Sequence, residues 1–239
     1  MAQAPNVKRF TIVTGHYGVG KTNLSINLAL DMATRFGNVT LVDLDIVNPY
    51  FRSSDYVEML ARHNVRVVSP TFAGTTLETP ALSAEVYSAF EASGGVLLDV
   101  GGDDAGATTL GSFAEQVTKQ DYDMLYVINR NRNLTTTASE AAVLLDEIEH
   151  ASHLKATGII NNSHMQAETT AEMVAASLPF AEETAALAGI PLVATTVPSG
   201  AVDEISDEPG APNYVPNAYP IDVYVRPPWD EDDDFPQGG

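Results

Sequence analysis

Gly15-His16-Tyr17-Gly18-Val19-Gly20-Lys21-Thr22 is the stretch that decides the fold. It fills every fixed position of the pattern G-x-x-x-x-G-K-S/T, and its flanks supply the context that pattern requires. Upstream, Phe10-Thr11-Ile12-Val13-Thr14 is a short apolar, β-branched run that predicts a strand. Downstream, Leu24, Leu28 and Met32 recur at every fourth position with Ile26 and Leu30 as a second apolar row, so a helix over Asn23 to Arg35 is expected to be buried on two sides. Glycines between strand and helix let backbone N–H groups close around phosphate oxygens, and the helix aims its positive end at the same charge. Within this reading Gly15 to Asn23 form the cradle, with His16, Tyr17, Gly18, Val19 and Gly20 supplying backbone. Lys21 reaches the β- and γ-phosphates, and the Thr22 hydroxyl ligates Mg²⁺.

Working outward, Val39-Thr40-Leu41-Val42-Asp43-Leu44-Asp45 predicts a second strand that ends on carboxylates. Functional groups gather at the carboxyl ends of parallel strands, so Asp43 and Asp45 are expected on the same edge as the loop. Pro49 biases Asn48 away from helix, which makes the stretch from Ile46 to Arg52 a connector at that edge. Val96-Leu97-Leu98-Asp99-Val100-Gly101-Gly102 reads as a buried parallel strand delivering one carboxylate and then glycines. Asp99 is placed to hold Mg²⁺ beside Thr22, and Gly102 to offer an N–H to the γ-phosphate. Asp103 and Asp104 follow at once, crowding negative charge near the loop.

The remaining chain keeps alternating. Val65 to Val68 predicts a strand, Ser69 to Thr79 a loop, and Pro80 opens a helix through Phe90. A helix from about Ala107 to Lys119 precedes the strand Met124 to Ile128, which leads into Asn129-Arg130-Asn131-Arg132-Asn133. Thr135 to His150 is amphipathic, and Ala156 to Asn162 is a strand ending in two asparagines, either of which can read a purine ring or cap a turn. A helical stretch from Thr169 to Ala188, interrupted at Pro179, leads to a last strand over Pro191 to Pro198. This alternation predicts an α/β protein of three layers, a Rossmann-like P-loop fold with a mostly parallel sheet and helices on both faces. Residues 1–198 are expected to form that nucleotide-binding domain. Residues 199–239 read as an acidic, Pro-rich extension, partly disordered, with Ile221 to Val225 a candidate edge strand and Trp229 a pin to the body.

Composition narrows the function. At 239 residues the chain suits one large α/β domain, and no apolar run approaches the roughly 20 residues of a membrane helix. The first nine residues lack the apolar core of a secretion signal, so a cytoplasmic protein is expected. With no cysteine, disulfides, thiolate zinc and cysteine-held iron–sulfur clusters are excluded. A net charge of −20 with only four lysines argues against coating nucleic acid or anionic lipid.

The loop ending Gly18-Val19-Gly20-Lys21-Thr22, the pair Asp43 and Asp45, and the switch from Asp99 to Gly102 together resemble the MinD/ParA/CobQ group of P-loop proteins with a deviant Walker A, over roughly Val7 to Pro198. A bacterial subgroup carrying G-H-Y/F-G, D-x-D-x-V-N-P-Y-F-R and D-V-G-G-D-D is more similar still. The resemblance implies ATP and Mg²⁺ as cofactors, with Lys21 and Thr22 on phosphate and metal. It further implies that Asp45 positions water and helps hold the metal, that Asp99 backs the metal and that Asn161 contacts the base. One departure matters. Where the MinD and ParA pattern has a lysine crossing a nucleotide-sandwich dimer, this chain has His16, largely neutral at pH 7. Arg52, Arg130 and Arg132 are the replacement candidates, Arg52 first because it follows the connector.

These features predict an ATPase used as a conformational switch on a protein partner, with a possible nucleotide-dependent homodimer, and no membrane or nucleic-acid partner. The alternative is an ATP-dependent ligase or kinase of the dethiobiotin-synthetase or cobyrinate-synthetase type, whose members also often lack the lysine. The loop from Thr71 to Thr79, Asp103 and Asp104 would then line its substrate pocket.

Overall fold

The computed structural model describes residues 3–45, 56–69, 84–102, 104–133 and 135–225. The Asn48-Pro49 connector, Arg52, the loop from Thr71 to Thr79, Asp103, Trp229 and the acidic terminus lie outside them. Among the described residues eight strands form one sheet: β1 (Phe10–Gly15), β2 (Val39–Leu44), β3 (Val65–Val68), β4 (Gly95–Val100), β5 (Tyr122–Ile128), β6 (Gly158–Asn161), β7 (Leu192–Pro198) and β8 (Ala218–Ile221). Their order is β3-β2-β4-β1-β5-β6-β7-β8, and every neighbouring pair runs parallel. The helices are α1 (Lys21–Phe36), α2 (Val57–Arg62), α3 (Ala84–Phe90), α4 (Asp104–Gly111), α5 (Ala114–Thr118), α6 (Ala138–Ser152), α7 (Ala171–Ala175) and α8 (Leu178–Ala188).

Side chains alternate across a strand, and here they sort into two cores. Phe10 and Ile12 of β1 join Val96, Leu98 and Val100 of β4 under α3 to α6 and α8. Val13 and Leu97 face the other way, onto Leu24, Leu28 and Met32 of α1. Two apolar faces with helices on both make the expected three-layer α/β, P-loop NTPase-like fold. The same alternation puts Asp99, two residues beyond Leu97, on the α1 side.

Local departures have local causes. The single helix expected from Ala107 to Lys119 divides at Ser112 and Phe113, where Phe113 turns into the core with its ring 5.5 Å from that of Phe90 and 5.6 Å from that of Tyr87. The interruption expected at Pro179 falls earlier, at Ala176 and Ser177, and Pro179 occupies the first turn of α8, where its missing N–H costs nothing. A capping box, Thr137 with Glu140, starts α6. The late strand is Ala218–Ile221, not Ile221 to Val225. It pairs with Thr195 to Pro198 of β7, and Pro220 is tolerated because β8 is the sheet edge.

Candidate functional site

From β1 the chain proceeds to β2 on one side of the sheet and later to β5 on the other, so the carboxyl end of β1 is a topological switch point, where α/β sheets bind ligands. The loop His16 to Gly20 starts there. Gly18 and Gly20 adopt positive φ angles of 76° and 92°. Gly20 caps α1 in the left-handed region, no side chain caps that helix, and its first turn carries no acid. The N-terminal N–H groups of α1 are thus left to an anion. Lys21 is buried, and its ammonium donates to the His16 carbonyl at 3.0 Å, folding the side chain back along the loop. The His16 ring is neutral: burial first, and then the Lys21 charge, lower its pKa.

Three neighbours hold the loop in place. A Cβ on Gly102 would sit 2.5 Å from the Tyr17 nitrogen, 2.6 Å from the His16 carbonyl carbon and 2.7 Å from the Gly15 oxygen, so the end of β4 lies backbone against backbone on the loop. On the other flank, Asn162 donates to the Val19 carbonyl at 2.6 Å. Its carboxamide oxygen accepts from Thr196 at 2.6 Å and from His164 Nε2 at 3.0 Å. His164 Nδ1 accepts from the Gln166 N–H, which fixes the proton on Nε2, and burial lowers its pKa to about 4, with the nearby Arg132 charge adding to the shift. Arg132 itself approaches from the turn after β5, its Cδ 3.9 Å from the position of a Cβ on Gly18.

Asp99 is the electrostatic centre. It is 1% exposed, and neither carboxylate oxygen makes a hydrogen bond of good geometry. Burial raises its pKa to about 6 and Asp45 pushes the same way, while Lys21 and the hydroxyls of Thr22 and Ser25 are near enough to oppose them. A buried carboxylate short of partners beside a lysine and a threonine hydroxyl fits a divalent cation. Among the described residues no cluster of three or more His, Asp or Glu side chains could hold a metal alone. Asp45 stands half-buried at the end of β2, its N–H donating to Asp43 at 3.1 Å.

Two expected ligand contacts are used internally. The Asn161 amide, sealed from solvent, donates to Ser177 at 2.8 Å and to Thr195 at 3.5 Å, so no free donor there faces a base. The Asn23 side chain accepts from the N–H groups of Tyr224 and Val225 and donates to the Asp222 carbonyl. Asn27 closes the same stretch from both sides, donating to the Asp222 carbonyl and accepting from its N–H. Arg130 is also engaged, donating to the Ala176 carbonyl at 2.6 Å. Of the residues that grip the loop, Asn162 had no signal beyond the paired asparagines at the end of β6.

No protein-family model matches the chain, and no curated protein matches it significantly. Solved structures do resemble it. The signal recognition particle 54 kDa protein of Aeropyrum pernix K1, in complex with GDP, superimposes with a TM-score of 0.52 at 18% identity, over 81% of this chain and 42% of that one. The cell division protein FtsY of Thermotoga maritima gives 0.50 at 20% identity, over 82% of this chain and 64% of the other. The receptor FtsY of Elizabethkingia anophelis gives 0.50 at 16%, over 79% and 58%. The chain thus spans less than two thirds of each. The likeness is one of fold, shared with P-loop proteins of the signal recognition system.

Proposed function

We propose that this chain binds a nucleoside triphosphate with Mg²⁺, hydrolyses it slowly, and serves as a conformational switch read by a protein partner, with Asp45 and the Gly101-Gly102 turn after β4 sensing the γ-phosphate. The observation that carries this reading is Asp99, a buried carboxylate on the α1 side of β4 whose oxygens make no hydrogen bond of good geometry although Lys21, Thr22 and Ser25 lie near it. Mg²⁺, when bound, neutralises charge on the phosphoryl oxygens. Everything else falls to the chain. The loop amides and Lys21 hold the phosphates, Thr22 and Asp99 face the metal, and Asp45 orients the attacking water. Gly102 passes the state of the loop to α4.

We infer ATP rather than GTP from the MinD/ParA/CobQ resemblance and from the absence of an N-K-x-D tetrad. The GDP of the Aeropyrum structure makes GTP the comparison to run. Titration with fluorescent ATP and GTP, with and without Mg²⁺, followed by single turnover and light scattering, tests the reading. Expected are tighter ATP binding, turnover well below about 1 s⁻¹ as for unassisted P-loop switches, and a dimer only with triphosphate. Tighter GTP binding overturns adenine alone. A mass indifferent to nucleotide favours the ligase or kinase, which the neutral His16 in place of a crossing lysine already supports.

The proton on Asp99 sets a pH dependence. Its pKa is raised to about 6, so it is charged at pH 7.5 and about nine-tenths protonated at pH 5. Only the charged form attracts the metal. Mg²⁺-dependent affinity is expected to fall about tenfold between those values, and Asp99→Asn to abolish that slope. A parent protein with flat pH dependence would remove Asp99 from the metal site.

A further inference from the structure

The loop has a charge deficit. A triphosphate brings several negative charges to a place where Asp43, Asp45 and Asp99 already converge, yet the loop's own cation is Lys21 alone because His16 is neutral. Three arginines stand in the sequence as candidates to make up the difference. Arg52 lies outside the described residues, and Arg130 donates to the Ala176 carbonyl at 2.6 Å.

Arg132 is different. Its Cδ and Nε lie 3.9 and 4.0 Å from the position of a Cβ on Gly18, and apart from the adjoining Tyr17 and Val19 no other described residue comes within 4 Å of that point. Gly18 is the middle glycine of the loop, with φ of 76°. The turn that presents Arg132 is braced on both sides. Its own N–H donates to the Asn129 carbonyl at 3.2 Å, Asn131 N–H donates to the Asn129 side chain at 3.0 Å, and Thr135 Oγ1 donates to the Asn129 carbonyl at 3.3 Å. Arg130 N–H is held by Ser163 at 3.0 Å. The backbone of the turn is therefore fixed, while the exposed Arg132 guanidinium makes no hydrogen bond to a described residue. An arginine anchored at its root and unengaged at its tip, against the middle of a phosphate loop, is poised to engage phosphate oxygens.

We propose that Arg132 supplies, from within the same chain, the second positive charge on the phosphates, contacting the terminal phosphoryl group over Gly18. This rests on the triphosphate reading above and assigns the missing cation within it. An arginine so placed needs no second copy to deliver it, so hydrolysis by one molecule is chemically complete, and dimerisation serves output, not catalysis.

The test measures Mg²⁺-dependent affinity for tri- and diphosphate, and single-turnover hydrolysis against protein concentration, in the parent, Arg132→Ala, Arg132→Lys and Arg52→Ala. Arg66→Ala, an exposed position on β3 three strands from β1, controls for net charge. Expected for Arg132→Ala is a loss of at least about a hundredfold in turnover, at the low end for an arginine finger. It should also lose about tenfold in triphosphate affinity, keep diphosphate affinity within about twofold, and melt where the parent does. Lysine should restore part of the loss, and the parent rate per molecule should not rise with concentration. Equal turnover in Arg132→Ala and parent overturns the proposal, as does the loss appearing in Arg52→Ala instead. A parent that binds no nucleotide overturns the underlying site and this assignment together, a result distinct from either.

Discussion

Gly102→Ala is expected to weaken nucleotide binding about a hundredfold. The added methyl would meet the Tyr17 nitrogen at 2.5 Å, the His16 carbonyl carbon at 2.6 Å and the Gly15 oxygen at 2.7 Å, all backbone. No rotamer relieves a clash of backbone with backbone, so the loop or the end of β4 must shift. Overpacking of this kind costs about 1–3 kcal/mol, and when the displaced segment is the binding loop that penalty falls on affinity, where about 2.7 kcal/mol is a hundredfold. Gly200→Ala is the matched control, since nothing lies within 4 Å of its Cβ position. Fluorescent-nucleotide titration decides it. Parent-like affinity in Gly102→Ala would mean that the contact between β4 and the loop plays no part in binding.

The second large effect is on stability. Asn162→Ala strands two buried partners at once, the Val19 carbonyl and His164 Nε2, and leaves the Thr196 hydroxyl with only its longer bond of 3.2 Å to the Asn161 carbonyl. Each unsatisfied buried group costs about 1–3 kcal/mol. Relaxation and water recover part of the sum, leaving a loss of about 3 kcal/mol, which for a chain of this size lowers Tm by about 6–12 °C. Nucleotide should return less of that Tm to the variant than it adds to the parent, because Asn162 also packs against Gly20, whose Cβ position is 2.4 Å from Nδ2. Thermal melts with and without nucleotide give both numbers. A melt within 2 °C of the parent would mean that water replaces the amide, and that the flank is not rigid.

Legibility followed the range of the interactions. The strand, turn and helix around Gly15 to Thr22 are encoded within some thirty residues by periodicity and glycine, and they fold as read, as do the buried strands that carry Asp43 and Asp99 near their carboxyl ends. Asn162 and Asn23 were harder because an asparagine carries no period. Whether its amide meets a base, a turn or a distant strand is decided by tertiary neighbours. The edge strand lies three residues before the stretch its composition points to, for a related reason. Ile221 to Val225 has the better β composition, but β7 offers partners only as far as Ile221, and the α1 asparagines take the backbone groups that follow. His16 could be judged from sequence, since only a nearby acid would have kept the imidazole charged, and the nearest strong field is Lys21.

The grip of Asn23 and Asn27 on Asp222 to Val225 gives the protein an order of assembly in time. Asn23 directly follows Thr22, yet its side chain is satisfied only by residues about two hundred positions later. On a translating ribosome, which adds residues at about 5–20 per second, the phosphate loop is made first, and Asn23 and Asn27 of its helix are without these partners until residues 222–225 have emerged. A chain released early, short of Ile221, therefore carries the whole motif without the support of its helix. Nucleotide capture is then expected to wait for residues 222–225, and a nascent-chain series arrested on either side of residue 225 should acquire it in one step.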